Sequence, residues 1–119
     1  MANIAALKRL AQVQLSVVGT PTTIYTAPAQ PPNAITVVIA FWVCNTAAAG
    51  HSYTIRSGTG ALTAANSLFE AKAIAANVTD IFDASQEYGI MTLNAGQSIL
   101  GYADVAATIT VTVAGVEYT

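Results

Sequence analysis

Two stretches near opposite ends of the chain alternate strictly between apolar and polar residues. In residues 108–113, Ile109, Val111 and Val113 alternate with threonines, and in residues 12–17 valine and leucine alternate with glutamine and serine. A two-residue period places the apolar side chains on one face, as in a β-strand with one buried face. We therefore expect strands, not helices, near both ends of the folded part.

Further short apolar runs, separated by turn residues, complete an all-β pattern. The strongest is 34–45, whose apolar run is interrupted only by Thr36 and suggests a strand covered on both faces. Residues 61–76 are open between a helix, which alanine favours, and a strand at 68–74. The other predicted strands are 22–26, 52–57, 78–82, 89–93 and 98–103.

The spacing of these strands predicts a single-domain antiparallel β-sandwich over residues 12–119. About eight strands in 119 residues fit a jelly roll. Residues 1–11 are expected to form a short N-terminal arm, either extended or briefly helical, with Ile4, Leu7 and Ala11 on one face. No linker or repeat indicates a second domain.

The chain is unusually poor in charge. It has four basic and six acidic residues, or 8% of the total, whereas soluble domains have about 25%. Its mean hydropathy is +0.54, yet the longest apolar stretch is too short for a membrane-spanning helix of about 20 residues. The same composition disfavours disorder, and a net charge of −2 disfavours a nucleic-acid partner. We expect surfaces that other subunits cover.

The few charges are divided unevenly along the chain. Residues 1–60 hold Lys8, Arg9 and Arg56 without a carboxylate, a sum of +3, and residues 61–119 sum to −5. One interpretation is complementary patches for a neighbouring subunit, because such fields orient association. The other is chance, since ten charges make a small sample.

Residues suited to catalysis or metal binding are sparse. Cys44 and His51 are the only residues of their types, and a dyad across a hairpin is conceivable but disfavoured. Cys44 is expected to be a small buried residue. The carboxylates Asp80, Asp83 and Glu87 lack the spacing of a calcium loop and are interpreted as a solvated acidic loop. The chain is therefore not expected to be an enzyme or to hold a cofactor or metal.

Trp42 is the aromatic residue most suited to an interface. It follows Phe41 in the long apolar run, so the two side chains should point to opposite faces of the strand. One would be core and the other interface, where tryptophan is enriched. The alternative is that both belong to the core.

Several segments resemble small virion proteins of tailed bacteriophages. The resemblance covers roughly residues 20–117 and consists of turn and strand motifs. Gln97 stands where that family commonly has an acidic residue. The matching segments are TPTTIYTAP at 20–28, AITVVI at 34–39, CNT at 44–46, LNAGQSI at 93–99 and ATITVTVAGVE at 107–117.

The resemblance implies a capsid decoration or cement protein. Such proteins are β-sandwiches that bind the outer face of the major capsid protein, typically as homotrimers. The expected location is the virion surface, after synthesis in the host cytoplasm. The predicted partner-binding residues are Lys8, Arg9 and Trp42. Lys8 and Arg9 would lie in an arm that reaches over an adjacent subunit.

The sequence is also compatible with three alternatives. A virion β-sandwich of the tail or fibre would share the same motifs. An enzyme or small-ligand binder would depend on Cys44 or His51. A third alternative is a non-viral assembly protein, such as a pilus or surface-layer subunit. A cleaved leader would favour this alternative, but the N-terminal sequence does not resemble a signal peptide.

Overall fold

The computed structural model describes residues 6–83 and 91–119, which form nine β-strands and one short 3₁₀ turn, Ala64–Asn66. This confirms the all-β prediction. Among the described residues, no helix is long and apolar enough to span a membrane. The strands are β1 Lys8–Gln14, β2 Thr22–Thr26, β3 Ile35–Asn45, β4 His51–Gly58, β5 Ser67–Ile74, β6 Thr79–Asp83, β7 Met91–Asn94, β8 Ser98–Ala103 and β9 Ile109–Tyr118.

The strands form two antiparallel sheets. Sheet 1 has the order β1-β9-β3, and both β6 and β7 pair with the far side of β3. Because β6 lies along residues 40–44 and β7 along residues 35–38, these two strands occupy one position in the sheet. Sheet 2 has the order β2-β8-β4-β5. Four strand positions in each sheet, with the chain crossing repeatedly between them, are the arrangement of a jelly roll.

The core lies between the two sheets and consists of inward-facing aliphatic and aromatic side chains. Alternate residues of β9 and β3 face inward, because successive residues of a strand point to opposite sides. Phe69 of β5 and Phe82 of β6 join the sheets at one side, with ring centroids 4.4 Å apart. The core residues with no exposed area are Val43, Ile55, Ile99, Ile109, Val111 and Val113.

The predicted N-terminal arm, residues 1–11, extends too far along the sequence. Strand β1 begins at Lys8, which pairs with Gly115 of β9, so residues 8–11 belong to the sheet. The reason is a β-bulge: the register shifts between Arg9 and Ala11, which breaks the two-residue period by which strands are recognised. Ala6 is exposed, and the predicted arm residues 1–5 lie outside the described part.

The ambiguous segment 61–76 contains both a turn and a strand. Residues 64–66 form the 3₁₀ turn, and β5 then confirms the predicted strand at 68–74. Residues 89 and 90 of another predicted strand lie outside the described residues, and β7 occupies the following four positions. Strand β9 continues five residues beyond the predicted end at Val113.

Candidate interaction surface

The outward side of sheet 1 is the surface on which Trp42 lies. In β3, Phe41 and Val43 point into the core, with 7% and 0% of their area exposed, and Trp42 between them is 36% exposed. This confirms that Phe41 and Trp42 lie on opposite faces. Cys44, two residues further, shares the outward side with Trp42.

Strand pairing arranges the outward residues of sheet 1 in rows that cross the sheet. Each row contains one residue from each of β1, β9, β3 and β6. The rows are Gln14, Thr110, Cys44 and Thr79; then Gln12, Thr112, Trp42 and Ile81; then, beyond the bulges, Arg9, Ala114, Ala40 and Asp83. In the third row Ala114 and Ala40 are buried, with 9% and 6% of their area exposed.

The same side continues along β7, β3 and the end of β9. Its outward residues there are Ile35, Val37, Val116, Tyr118, Thr92 and Asn94. We call these six residues and the three rows the neutral face. Arg9 and Asp83, at its two borders, are its only Lys, Arg, Asp or Glu residues in the described part of the chain.

Large apolar side chains are exposed on the neutral face. Four of the nine large hydrophobic residues found exposed in the described chain lie there: Ile35 at 39%, Trp42 at 36%, Ile81 at 52% and Tyr118 at 53%. Trp42 and Ile81 are directly paired across neighbouring strands. Sequence reasoning singled out Trp42 but not its three companions, because their common side follows from strand pairing. Uncharged surface with exposed aromatic and aliphatic groups is suited to protein contacts.

Arg9 is held at one border of the neutral face by hydrogen bonds. Its guanidinium donates to Gln12 Oε1 at 3.3 Å, and Gln12 Nε2 donates to Thr112 Oγ1 at 2.9 Å. In the described residues, Arg9 is the one Lys or Arg side chain with no carboxylate within 4.0 Å. Its charge is therefore available to a carboxylate from outside the chain.

Lys8, the other predicted partner-binding cation, has a partner inside the chain. Its ammonium group pairs with Glu117, to which the Tyr25 hydroxyl also donates a hydrogen bond. Hydrogen bonds from Lys8 and then Tyr25 lower the pKa of Glu117. Burial, followed by the bond to Glu117, raises the pKa of Tyr25 to about 12. This cluster joins β1 and β9 of sheet 1 to β2 of sheet 2.

The outward side of sheet 2 differs because it carries charge. Arg56 of β4 donates to the Tyr102 hydroxyl at 3.1 Å and to Glu70 at 3.5 Å. Its guanidinium also lies over the Tyr102 ring, 5.3 Å from the centroid. The sandwich therefore has one neutral and one charged outer side. The Arg56–Glu70 and Lys8–Glu117 pairs also join opposite charges from the two halves of the sequence within one chain.

The structure places Cys44 and His51 in different sheets. Cys44 is partly exposed on the neutral face, contrary to the expectation of burial. His51 Nδ1 lies 3.1 Å from Asp104 Oδ2. Burial acts to raise the pKa of Asp104, but hydrogen bonds from His51 and two backbone amides lower it overall. The two residues therefore do not pair across a hairpin, as the dyad considered from the sequence would require.

The predicted acidic loop is not one group in the described chain. Asp80 accepts hydrogen bonds from the Tyr53 hydroxyl at 2.9 Å and from Lys72 at 3.1 Å, so it bridges the two sheets. Asp83 lies at the border of the neutral face, and Glu87 is outside the described residues. Within residues 6–83 and 91–119, no three His, Cys, Asp or Glu side chains lie together as metal ligands.

A cavity of about 140 Å³ opens between the two sheets beside Phe82. Its wall combines residues of β3, β5, β6 and β7, including Val38, Phe41, Phe69 and Met91. The lining side chains that belong to the described residues are all apolar. Ligand sites normally add a few polar groups that fix orientation, and the described part of this lining offers no polar side chain.

The chain matches no family model and no curated protein. Among solved structures, it is similar to a chain in the structure of infectious bursal disease virus Gx strain, with 14% sequence identity and a TM-score of 0.38. The match covers 96% of this chain and 39% of that chain, so the present chain spans about two fifths of the viral chain. A TM-score this low carries no argument about function.

Proposed function

We propose that the chain is a structural protein of a virus particle that decorates the capsid. It binds the outer face of the major capsid protein of a tailed bacteriophage, as a homotrimer, and reinforces the contacts between capsid subunits. The observation that carries the proposal is a jelly-roll sandwich with one neutral outer face and only ten charged residues in the whole sequence.

The density of charge supports a protein that works inside an assembly. The accessible area is 6358 Å², so ten charged residues leave roughly one per 640 Å². Ordinary soluble domains carry about three times that fraction of charge, which keeps them apart in solution. A chain this poor in charge is suited to having much of its surface covered by sister subunits and by the shell.

Multivalent contact is the mechanism that this function requires. A trimer presents each contact three times, so modest contacts with several capsid subunits combine into strong attachment. The loops at either end of the sandwich and the charged outer side of sheet 2 are available for the shell. No chemical step is needed, since reinforcement follows from the area buried between neighbouring capsid subunits.

Immunogold labelling of particles tests this function. Antibodies against the recombinant chain are applied to virus particles purified from the source culture, and the number of copies per particle is measured by quantitative mass spectrometry. Labelling over the whole shell with hundreds of copies is expected. Labelling restricted to the tail, with a few to dozens of copies, would indicate the tail or fibre alternative, and unlabelled particles would refute a virion role.

A further inference from the structure

A second cavity, of about 200 Å³, lies on the outward side of sheet 2 near the end of β8. Tyr53 of β4 points inward, since its hydroxyl reaches Asp80 of sheet 1. The next residue, Thr54, therefore points outward, as does Tyr102, its partner on β8. One water molecule needs only about 10–15 Å³, so the cavity is large enough to admit a side chain. We call this cavity the sheet 2 pocket.

The sheet 2 pocket combines apolar lining with one carboxylate. Val18, in the turn between β1 and β2, lines the pocket with 66% of its area exposed, and Tyr102 lines it as well. Asp104, directly after β8, is the one Lys, Arg, Asp or Glu among the described residues that line it. Apolar surface beside a carboxylate suits a cation on an aliphatic stem, which is the chemistry of a lysine or arginine side chain.

The hydrogen bonds that Asp104 already accepts favour lysine over arginine. Its Oδ1 accepts from the backbone nitrogens of Val105 at 3.0 Å and Ser52 at 3.3 Å, and its Oδ2 lies 3.1 Å from His51 Nδ1. A carboxylate oxygen has about two acceptor sites, so only Oδ2 can accept one further bond. A guanidinium binds best through two parallel bonds, one to each oxygen, whereas an ammonium group needs a single acceptor.

Asp104 carries a charge that no lysine or arginine of the described chain offsets. Its pKa is lowered, so the carboxylate is ionised at neutral pH. His51 is the one basic side chain of the described residues within 4.0 Å of it. Arg56, which reaches Tyr102, lies 3.5 Å from Glu70, and that carboxylate offsets its charge. With a neutral imidazole at His51, the sheet 2 pocket therefore attracts a cation.

A second copy of the chain is not suited to supply this cation as a lysine. The sequence has two lysines, Lys8 and Lys72. Lys8 pairs with Glu117, and Lys72 Nζ lies 3.1 Å from Asp80 Oδ2, in both cases within one chain. A second copy would have to break one of these pairs, whereas a lysine of a different protein would not.

We propose that the sheet 2 pocket binds a lysine side chain on the surface of the protein that this chain decorates. The ammonium group lies at Asp104, and the aliphatic stem packs against Val18 and Tyr102. The inference rests on the proposed function, because it takes the partner to be the capsid shell, and it assigns the outward side of sheet 2 as the contact. One exposed ion pair contributes little, so attachment depends on several such contacts acting together.

A titration followed by nuclear magnetic resonance tests the pocket without a virus particle. The isotope-labelled chain is titrated with Nα-acetyl-lysine methylamide at constant ionic strength, and the backbone amides of Ser52 and Val105 are followed, since both donate to Asp104. Both signals should shift. The norleucine analogue, which lacks the ammonium group, should shift them about fivefold less at equal concentration, and the arginine analogue should lie between the two. Equal shifts with norleucine would overturn the role of the charge, and equal shifts with arginine would overturn the preference for lysine.

Two pairs of variants locate the response. Asp104→Asn removes the charge but keeps an oxygen for the two backbone amides, so the lysine response should fall to that of the norleucine analogue. Glu70→Gln is its control, because Glu70 is exposed and does not line the pocket. Val18→Lys should place the chain's own ammonium group beside Asp104 and block the probe, whereas Val18→Leu keeps the apolar lining and should respond as wild type does. Circular dichroism checks that each variant is folded. An unchanged response in both Asp104→Asn and Val18→Lys would overturn the site.

Modification of the shell lysines tests the same contact on the particle. Acetylation removes the charge of a lysine, and methylation keeps it. Binding of the chain to shells freed of it is measured by co-sedimentation. Acetylated shells should bind more than about tenfold more weakly than untreated ones, because the loss at each contact multiplies over several contacts. Methylated shells should bind as untreated ones do, and Asp104→Asn should bind untreated shells as weakly as wild type binds acetylated shells.

The two experiments separate this inference from the proposed function. Equal binding of wild type to untreated and acetylated shells would overturn the pocket as the contact, and it would still support a decoration protein. A lysine response in the titration without binding to any shell would support the lysine site and count against the proposed function.

Discussion

Asn45, at the end of β3, is the polar residue whose replacement should cost the most stability. Its side chain has no exposed area. Its amide nitrogen donates to the carbonyl oxygens of Ala49 at 2.9 Å, Ala75 at 3.1 Å and Ile74 at 3.2 Å. Its amide oxygen accepts from the backbone nitrogen of Ala47 at 2.9 Å. One side chain thus closes the turn after β3 and attaches it to the end of β5.

Asn45→Ala removes all four of these contacts. A hydrogen bond contributes about 1 kcal/mol net, and a buried group left without a partner costs about 1–3 kcal/mol. Ala49 and Ala75 are exposed, so water can replace part of what is lost. We expect the free energy of unfolding to fall by about 3–4 kcal/mol, a large part of the 5–15 kcal/mol typical of a domain. At about 4 °C per kcal/mol, the Tm should fall by roughly 12–16 °C.

Urea unfolding followed by far-ultraviolet circular dichroism measures this loss. Both variants are compared at one chain concentration, because assembly would make stability depend on concentration. Asn33→Ala is the matched control, since Asn33 is exposed. A loss below about 1 kcal/mol for Asn45→Ala, or one equal to that of Asn33→Ala, would refute the assignment of Asn45 as the connection between β3 and β5.

Three further predictions concern the pairing of β9 and the Lys8–Glu117–Tyr25 cluster. Gly115→Ala should lower the free energy of unfolding, measured in urea, by about 3 kcal/mol or more, because the new Cβ would lie 2.3 Å from the carbonyl oxygen of Val37. Gly19→Ala is the control and should change it little, because a Cβ at Gly19 would meet open space. Glu117→Gln should be about 1–2 kcal/mol less stable than wild type at pH 7. The pKa of Glu117 is lower in the folded chain than in the unfolded chain, so ionised Glu117 stabilises the fold above its unfolded pKa. This stabilisation is lost as the pH falls through the folded pKa, so the free energies of unfolding of wild type and Glu117→Gln should converge in acid. A constant difference between the two proteins at all pH values would contradict this. The pKa of Tyr25 is raised to about 12, so wild type should lose stability between about pH 10 and pH 12, and Tyr25→Phe should lack this loss.

Most of the strands could be predicted because their periodicity survives in the folded chain. The alternation in residues 108–113 reappears as buried and partly exposed positions along β9. The predicted strand stopped at Val113, because Ala114 and Gly115 break the alternation of apolar and polar residues in the sequence. In β9 these two successive residues are both buried. In the partner strand β3, the register shifts between Val38 and Ala40 at the same level of the sheet. A bulge changes which side a residue faces, and a single strand's sequence does not record where its neighbour shifts.

The neutral face was only partly predictable for a related reason. Trp42 was identified because an adjacent Phe41 implied opposite sides of one strand. That Ile81 lies beside it depends on the pairing of β6 with β3, which connects residues about 40 positions apart. Arg9 and Lys8 were grouped because they are neighbours in sequence, yet one lies at the border of the neutral face and the other pairs with Glu117. Pairing partners, more than composition, determine which residues form a surface.

The position of β9 has a consequence for how the chain acquires its fold during synthesis. Strand β9 is the last in sequence but lies inside sheet 1, between β1 and β3. Strand β1 therefore emerges from the ribosome first and waits for its sheet partner until about 100 further residues have been made. Contacts this distant in sequence slow folding, because a long loop must close before they form. Until then, β3 exposes one edge, and an unpaired edge invites association with other chains. Premature termination before β9 would therefore yield an aggregating fragment, not a smaller sandwich.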